Sequence, residues 1–210
     1  SRARLQEEGP DSVVAAEADL NPGNNSSTVQ SHVVQGPAVG LVKDIRTGFS
    51  SAFPFFLTDV DGLLFFGAND GFNGIELWKS DGTPEGTVMV KDIYPGGSSA
   101  NLEDLTSVGG TLFFTASDPD AGWELWKSDG TASGTVRVRD IEPGPIGSGP
   151  DRLANVAGTL FFRVGDDATG VELWKSDGTA SGTVMVKDIR PGVNGSFPDN
   201  LTDVEGTLFF

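Results

Sequence analysis

Carboxylates recur along this chain at a fixed step, and their spacing is the first feature that points to chemistry. In the stretch "DPDAGWE", Asp118, Asp120 and Glu124 stand close together in a short loop. Hard oxygen donors in such a loop suit a calcium ion, which takes about six to eight oxygens including carbonyls and water. Asp70 and Asp166 occupy the place of Asp118 one step away on either side, followed by Gly74, Gly122 and Gly170 and then by Glu76, Glu124 and Glu172. The full EF-hand loop is missing, and the first copy, "NDGFNGIE", has fewer carboxylates. Calcium on Asp118, Asp120 and Glu124 therefore competes with a plain solvated hairpin loop.

Two further sets of acids recur. Asp81, Asp129 and Asp177 lie in "SDGT" and precede Gly82, Gly130 and Gly178. A Gly free to adopt positive φ, next to an Asp or Ser that accepts backbone N–H bonds, closes a tight reversal without outside help, so these six are read as turn residues. Asp44, Asp92, Asp140 and Asp188 each follow Lys or Arg, in three copies just before a Pro-Gly turn. They are expected to cap that turn or to pair with a basic neighbour. Trp78, Trp126 and Trp174 recur and are read as packing. Trp123 is different: it stands where the other copies have Ile75 and Val171, beside the acidic loop, and an aromatic there could stack on a sugar ring or a partner.

This contrast suggests a rule. Positions that recur build the scaffold, and positions that change between copies are free to serve a ligand. Besides Trp123, the changing set contains Arg46, Tyr94, Glu142 and Arg190, aligned just before the Pro-Gly turn, and Arg163, which replaces Gly67 and Thr115.

The totals narrow the chemistry. Among 210 residues there is no Cys, which removes disulfides, thiolate zinc sites and thiol nucleophiles. The only His is His32, outside the repeats, so the usual general base is missing from them. With 30 acidic against 14 basic residues the formal net charge is −16, a potential that repels phosphate backbones and anionic lipid. No apolar run approaches the roughly 20 residues that span a bilayer as a helix. Nucleic acid and membrane insertion are thereby disfavoured.

The elements that hold these residues follow from the repeat. "VKDI" at 42, 90 and 186, "VRDI" at 138, "GLLFF" at 62, "GTLFF" at 110, 158 and 206, and "ELWKSDGT" at 76, 124 and 172 all keep a step of 48 residues. A constant period of this size marks a solenoid, propeller or array. Within the second copy, "EDLTSV" (103–108), "TLFFTAS" (111–117), "WELWKS" (123–128) and "TVRVRDI" (135–141) are rich in aromatic and β-branched residues and are separated by Gly or Asp-Gly reversals. Four antiparallel strands are predicted, with no helix. Leu112 and Phe114 point to one face and Phe113 to the other, so both faces are apolar and each sheet must lie between two others. Residues 1–38, rich in Gly, Pro, Asn and Ser and free of aromatics, read as a linker or disordered segment. The repeat domain covers 39–210, with blades at 55–93, 103–141 and 151–189 and partial blades at 41–45 and 200–210.

The pattern "GTLFF…ELWKSDGT..GTVMVKDI.PG" resembles the ELWxxDGT repeat family of bacterial, mostly exported proteins. The resemblance covers 41–210 and implies a β-propeller-like architecture and a secreted or cell-surface location; it implies no reaction. The fold predicted is all-β: a propeller-like array of four-stranded antiparallel blades. At 48 residues per copy, 41–210 holds about three and a half repeats, which predicts a fragment of a larger propeller over a closed ring.

The function expected on these grounds is a non-enzymatic extracellular binding or adhesion module presenting propeller loops to a protein or glycan. Self-association through open blade edges is a further expectation. One alternative is a carbohydrate-active propeller, a glycoside hydrolase or lyase using paired carboxylates, although no copy carries a pair that the others lack. The other is a structural spacer within a large secreted protein.

Overall fold

The computed structural model describes residues 40–48 and 50–210, together with the backbone of three strands nearer the start: Arg4–Glu7 (β1), Ser12–Ala16 (β2) and Gln30–Val34 (β3). These three form an antiparallel sheet in the order β1-β2-β3. Otherwise the linker expected over 1–38 lies outside the described residues. The chain divides into two units, Ser1–Leu41 and Val42–Phe210.

The second unit is all-β, with no helix among the described residues. Its first sheet contains β4 (Phe55–Val60), β5 (Leu63–Asn69), β6 (Ile75–Ser80) and β7 (Val88–Lys91). The second contains β8 (Glu103–Val108), β9 (Thr111–Asp118), β10 (Gly122–Ser128) and β11 (Val136–Arg139). The third contains β12 (Asp151–Val156), β13 (Thr159–Asp166), β14 (Gly170–Ser176) and β15 (Val184–Lys187). In each, the strands are hydrogen-bonded in chain order as an antiparallel meander. A two-stranded piece, β16 (Thr202–Val204) with β17 (Thr207–Phe209), follows.

The apolar side chains on both faces explain why the sheets stack. Leu112, Phe114 and Ala116, all fully buried, pack with Phe65, Leu77 and Val90 of the first sheet. Phe113, pointing the other way, joins Leu160, Phe162, Val164 and Trp174 of the third. Removing each such side chain from water contributes about 1.5–3 kcal/mol, so sheet-on-sheet burial is the main cohesive term. Phe66, Ala68 and Trp78 on the outer face of the first sheet are covered by Ile45 and Ala52. Between sheets, the strands in closest contact are first strands: β4 with β8, β8 with β12, and β12 with β16. The first strand of each sheet is thus innermost and the fourth outermost, the arrangement of propeller blades.

Each complete first strand carries a bulge near its start, between Phe55 and Thr58, Glu103 and Thr106, and Asp151 and Ala154. Phe56, Asp104 and Arg152 sit there with φ of 52°, 52° and 57°. Bulges of this kind strengthen local twist, and their recurrence marks them as part of the scaffold.

Two expectations about the outer strand change. "TVRVRDI" continues as strand only over Val136–Arg139, because the Ile141 N–H leaves the ladder and donates to Glu124. Residues 41–45, expected as a partial blade, form no strand, and no third strand lies beside them among the described residues.

Because each sheet is a meander, its ends are distinct. The turn between first and second strands and the "SDGT" turn between third and fourth lie at one end. The hairpin between second and third strands and the connection to the next sheet lie at the other.

Candidate functional site

The "SDGT" end is self-contained. Asp81 Oδ1 accepts the Thr83 N–H at 2.9 Å and the Thr83 hydroxyl at 2.7 Å, while Thr83 Oγ1 accepts the Gly86 N–H at 2.9 Å. Ser80 Oγ meets Thr87 Oγ1 at 2.7 Å and accepts the Gly82 N–H. Asp129 and Asp177 make the same bonds, and Gly82, Gly130 and Gly178 take φ of 89°, 85° and 84°. The hydroxyl of the following Thr, helped by its N–H, holds all three Asp carboxyls below their ordinary range. A Cβ on Gly86 would lie 2.0 Å from Asp81 Oδ1, so the second Gly of the turn is also obligatory. The turn reading of these residues agrees with this geometry.

The rest of the motif joins neighbours. Lys79 donates to the carbonyl of Gly130, and Lys127 to that of Gly178, each at 2.8 Å in the next sheet. The basic residue of "VKDI" does likewise: Lys43, Lys91 and Arg139 donate to the carbonyls of Thr87, Thr135 and Thr183 at 2.7, 2.8 and 2.7 Å. Lys91 and Arg139 also lie over the rings of Trp126 and Trp174, 5.7 and 5.8 Å from their centroids. Among the described residues, the Asp of that motif makes neither the turn-capping bond nor the ion pair expected of it. Asp44 and Asp140 are exposed, and one oxygen each of Asp92 and Asp188 is buried without a partner.

At the opposite end the Glu of "ELW" holds the connection between sheets. Glu76 Oε2 accepts the Ile93 N–H at 2.7 Å, and Oε1 accepts those of Tyr94 at 3.3 Å and Ala100 at 3.2 Å. Glu124 accepts the N–H groups of Ile141 (3.3 Å), Glu142 (3.4 Å) and Ser148 (2.9 Å) and the Ser148 hydroxyl at 2.7 Å. Glu172 accepts those of Ile189 (3.1 Å) and Arg190 (3.2 Å) and the Ser196 hydroxyl at 2.5 Å. All three side chains are fully buried. Burial pushes Glu76 up to about 8, with the Asp92 charge adding to it, and pushes Glu124 up as well. At Glu172 burial acts the same way, but the hydrogen bonds from Ser196, Ile189 and Arg190 outweigh it and the carboxyl is held below its ordinary range.

These bonds bear directly on the proposed metal ligands. Both oxygens of Glu124 are occupied by donors of the connection. Asp118 Oδ1 accepts the N–H groups of Asp120 and Ala121, and its Oδ2 accepts Arg137 at 2.8 Å. Asp118, Asp120 and Glu124 therefore do not form a ligand set, and no group of three or more His, Cys, Asp or Glu side chains among the described residues is arranged to hold a metal ion.

Of the varying residues singled out, Arg46, Tyr94, Trp123, Glu142 and Arg190 lie at this connection end. Arg46 rests against Gly71 of the first hairpin, with Nε 3.2 Å from where a Cβ would stand. Tyr94 is half-buried against the core between the first two sheets. Glu142 Oε2 accepts the Asp167 N–H at 3.2 Å, and Arg190 is exposed. Trp123 is half-buried; its N–H donates to Ile146 O at 3.1 Å and its carbonyl accepts the Gly149 N–H at 3.0 Å. Arg163 is held apart from these, bidentate on Asp151 at 2.6 and 2.8 Å with a longer bond to Pro198 O. Apart from Arg163, these residues share one end but occupy successive seams; among them Glu142 and Trp123 meet a common connection, 142–149.

Sequence reasoning missed the role of Glu76, Glu124 and Glu172, grouping them with the acidic loop. The signal was available: each is a carboxylate between two apolar residues and followed by Leu-Trp inside an apolar strand, a place that demands a buried hydrogen-bonding partner. The inter-sheet lysines and Gly86, Gly134 and Gly182 were also missed.

The fold and its two ends define an all-β protein of propeller-like sheets, with the recurrent "SDGT" turns at one end and the connections between sheets at the other. No protein-family model matches the chain, and no curated protein matches it. Among solved structures it is similar to an α-L-arabinofuranosidase from Clostridium thermocellum, at 13% identity over 98% of this chain and 80% of that one, with a TM-score of 0.28.

Proposed function

We propose that this chain is a non-enzymatic binding module of the ELWxxDGT repeat type, exported or displayed at a cell surface, which engages a protein or glycan through the loops of its connection end. One observation carries the reading: the recurrent polar side chains of "ELWKSDGT" are occupied in turns, clamps and inter-sheet bonds, while Arg46, Tyr94, Trp123, Glu142 and Arg190, which differ between copies, lie at the connection end. A buried carboxylate that already accepts three or four hydrogen bonds from its own chain is poorly placed to work as an acid, base or nucleophile, and this argues against such roles for Glu76, Glu124 and Glu172.

The test pairs a glycan array and a peptide array with a panel of chromogenic glycosides. Binding that is weakened by substitutions at the connection end and unaffected by substitutions at the exposed "SDGT" Thr residues supports the module. Turnover of any glycoside overturns it.

A further inference from the structure

The variable position before each Pro-Gly turn faces the hairpin of the following sheet, and its charge differs from seam to seam. In the seam leading into the first sheet it is Arg46, against Gly71. Between the first and second sheets it is Tyr94, and there Asp118 is neutralised by Arg137 at 2.8 Å. Between the second and third sheets it is Glu142, facing Asp166 and Asp167.

That last seam opens into a groove of two hollows that share Glu142, Gly147 and Asp167: one of about 300 Å³ along the connection 142–147, and one of about 250 Å³ that reaches Asp166, Val171 and Val193. Its charged lining is entirely acidic: Glu142, Asp166 and Asp167, with no basic side chain. Asp166 is a firm anion, because the bonds it accepts from Thr169 and Ala168 outweigh the effect of its partial burial. Apolar side chains stand among the acids. Ile146, 86% exposed, lines the larger hollow, and Val171 and Val193, the latter 70% exposed, line the smaller. Their exposure belongs to the fold, since the equivalents of Ile146 in the other connections, Ser98 and Asn194, are exposed too. Ile146 is the one aliphatic residue at that place, and large apolar side chains held in water beside a charged rim mark a contact surface.

We propose that this groove docks an extended cationic peptide segment, placing an aliphatic side chain against Ile146 and its flanking lysine or arginine side chains on Glu142, Asp166 and Asp167. Charge selects the occupant. A second copy of this chain, at a net charge of −16, is repelled, and an anionic or neutral glycan gains nothing from the three carboxylates. The inference rests on the binding-module reading and names the partner of its most distinctive seam.

The repeat itself supplies variants that preserve the fold. Glu142→Arg installs the residue found at the same place as Arg46 and Arg190, and leaves untouched the backbone N–H that Glu124 accepts. Ile146→Ser installs the counterpart Ser98.

The experiment is fluorescence anisotropy of this chain with three labelled probes: a Lys-Lys-Leu-Lys-Lys peptide, its Lys-Lys-Ser-Lys-Lys analogue, and a chitosan oligosaccharide. The leucine peptide is expected to bind most tightly. Its affinity should fall about tenfold in Glu142→Arg, where an ion pair becomes a repulsion, and severalfold in Ile146→Ser. Raising the salt should weaken it further, because the charges are exposed. Equal affinity of the two peptides, or no change in either variant, overturns the groove in favour of diffuse attraction to an acidic surface. Tighter binding of chitosan than of the leucine peptide also overturns it, and leaves the binding module standing with a glycan partner. Glycoside turnover is the separate result that would remove the module itself.

Discussion

Lys79 Nζ donates to the carbonyl oxygen of Gly130 at 2.8 Å, across 51 residues of chain and from one sheet to the next. Lys127 makes the same bond to Gly178. Two features of one eight-residue motif, its Lys and its turn, are therefore partners, but always between successive copies. Identity from copy to copy is what such a bond requires: each Lys needs the turn ahead of it, and each turn must present its Gly carbonyl to the Lys behind it.

Replacing Lys127 by Met keeps the aliphatic stem and removes the ammonium. A hydrogen bond from a charged donor to a carbonyl is worth about 1.5–3 kcal/mol, so Lys127→Met should lower stability by about 1–2 kcal/mol after its remaining packing is allowed for. Lys175 is exposed and makes no such bond among the described residues. Lys175→Met should therefore stay within about 0.5 kcal/mol of the parent chain. Urea midpoints of the two variants measure the difference, and equal losses would show that the bond adds nothing.

Glu124 carries more. It accepts four donors from residues 141–148, and Glu124→Gln replaces one acceptor oxygen with an amide that confronts buried N–H groups. A loss of about 2–4 kcal/mol is expected. Amide exchange at Ile141 and Ser148 should accelerate with it, since those groups lose their partner directly. Destabilisation without faster exchange at these two positions would place the effect elsewhere.

Much of this architecture is legible in the sequence. The step of 48 residues, the Asp-Gly reversals and the apolar side chains on alternate faces of "TLFFT" are local signals, and they lead to three meanders packed face to face. The Asp81, Asp129 and Asp177 turns are equally local, each closing within a few residues. What escaped is non-local. The clamps join residues 17 to 24 apart and the lysine bonds join residues 44 or 51 apart, in directions that spacing alone does not reveal. The gathering of Arg46, Tyr94, Trp123, Glu142 and Arg190 at one end follows from meander topology, which becomes usable only once the strand order is known. The end of the outer strand at Arg139 was misplaced for the same reason: its terminator, Glu124, lies on another strand.

Calcium offers a direct check on the hairpin acids. Asp118 and Glu124 direct their oxygens at backbone N–H groups and Arg137, so a chelator should leave the thermal midpoint unchanged. Scans with EDTA and with added calcium measure this. A midpoint that rises with calcium concentration would show that the ion does bind these loops.

The first clamp differs from the other two in one atom. Where Ser148 and Ser196 supply hydroxyls to Glu124 and Glu172, Ala100 offers Glu76 only its N–H, at 3.2 Å. Burial, with the Asp92 charge adding to it, holds the Glu76 carboxyl at about 8, against an ordinary value of 4.5. The folded chain thus binds more protons than the unfolded chain between these values, and stability must fall as pH rises across that window. The contribution is fully present below pH 4.5 and is lost by the time the pH has passed about 8. Ala100→Ser adds a donor that favours the charged carboxylate and lowers its pKa. It should therefore stabilise the chain by about 1–2 kcal/mol at pH 8.5, a rise of roughly 2–6 °C in melting temperature, with little effect at pH 5. Because the substitution leaves the bonds of Glu124 and Glu172 in place, the difference between the two melting curves reports on the Glu76 clamp. A gap of the same size at pH 5 and pH 8.5 would assign the gain to packing and separate the hydroxyl from the charge on Glu76.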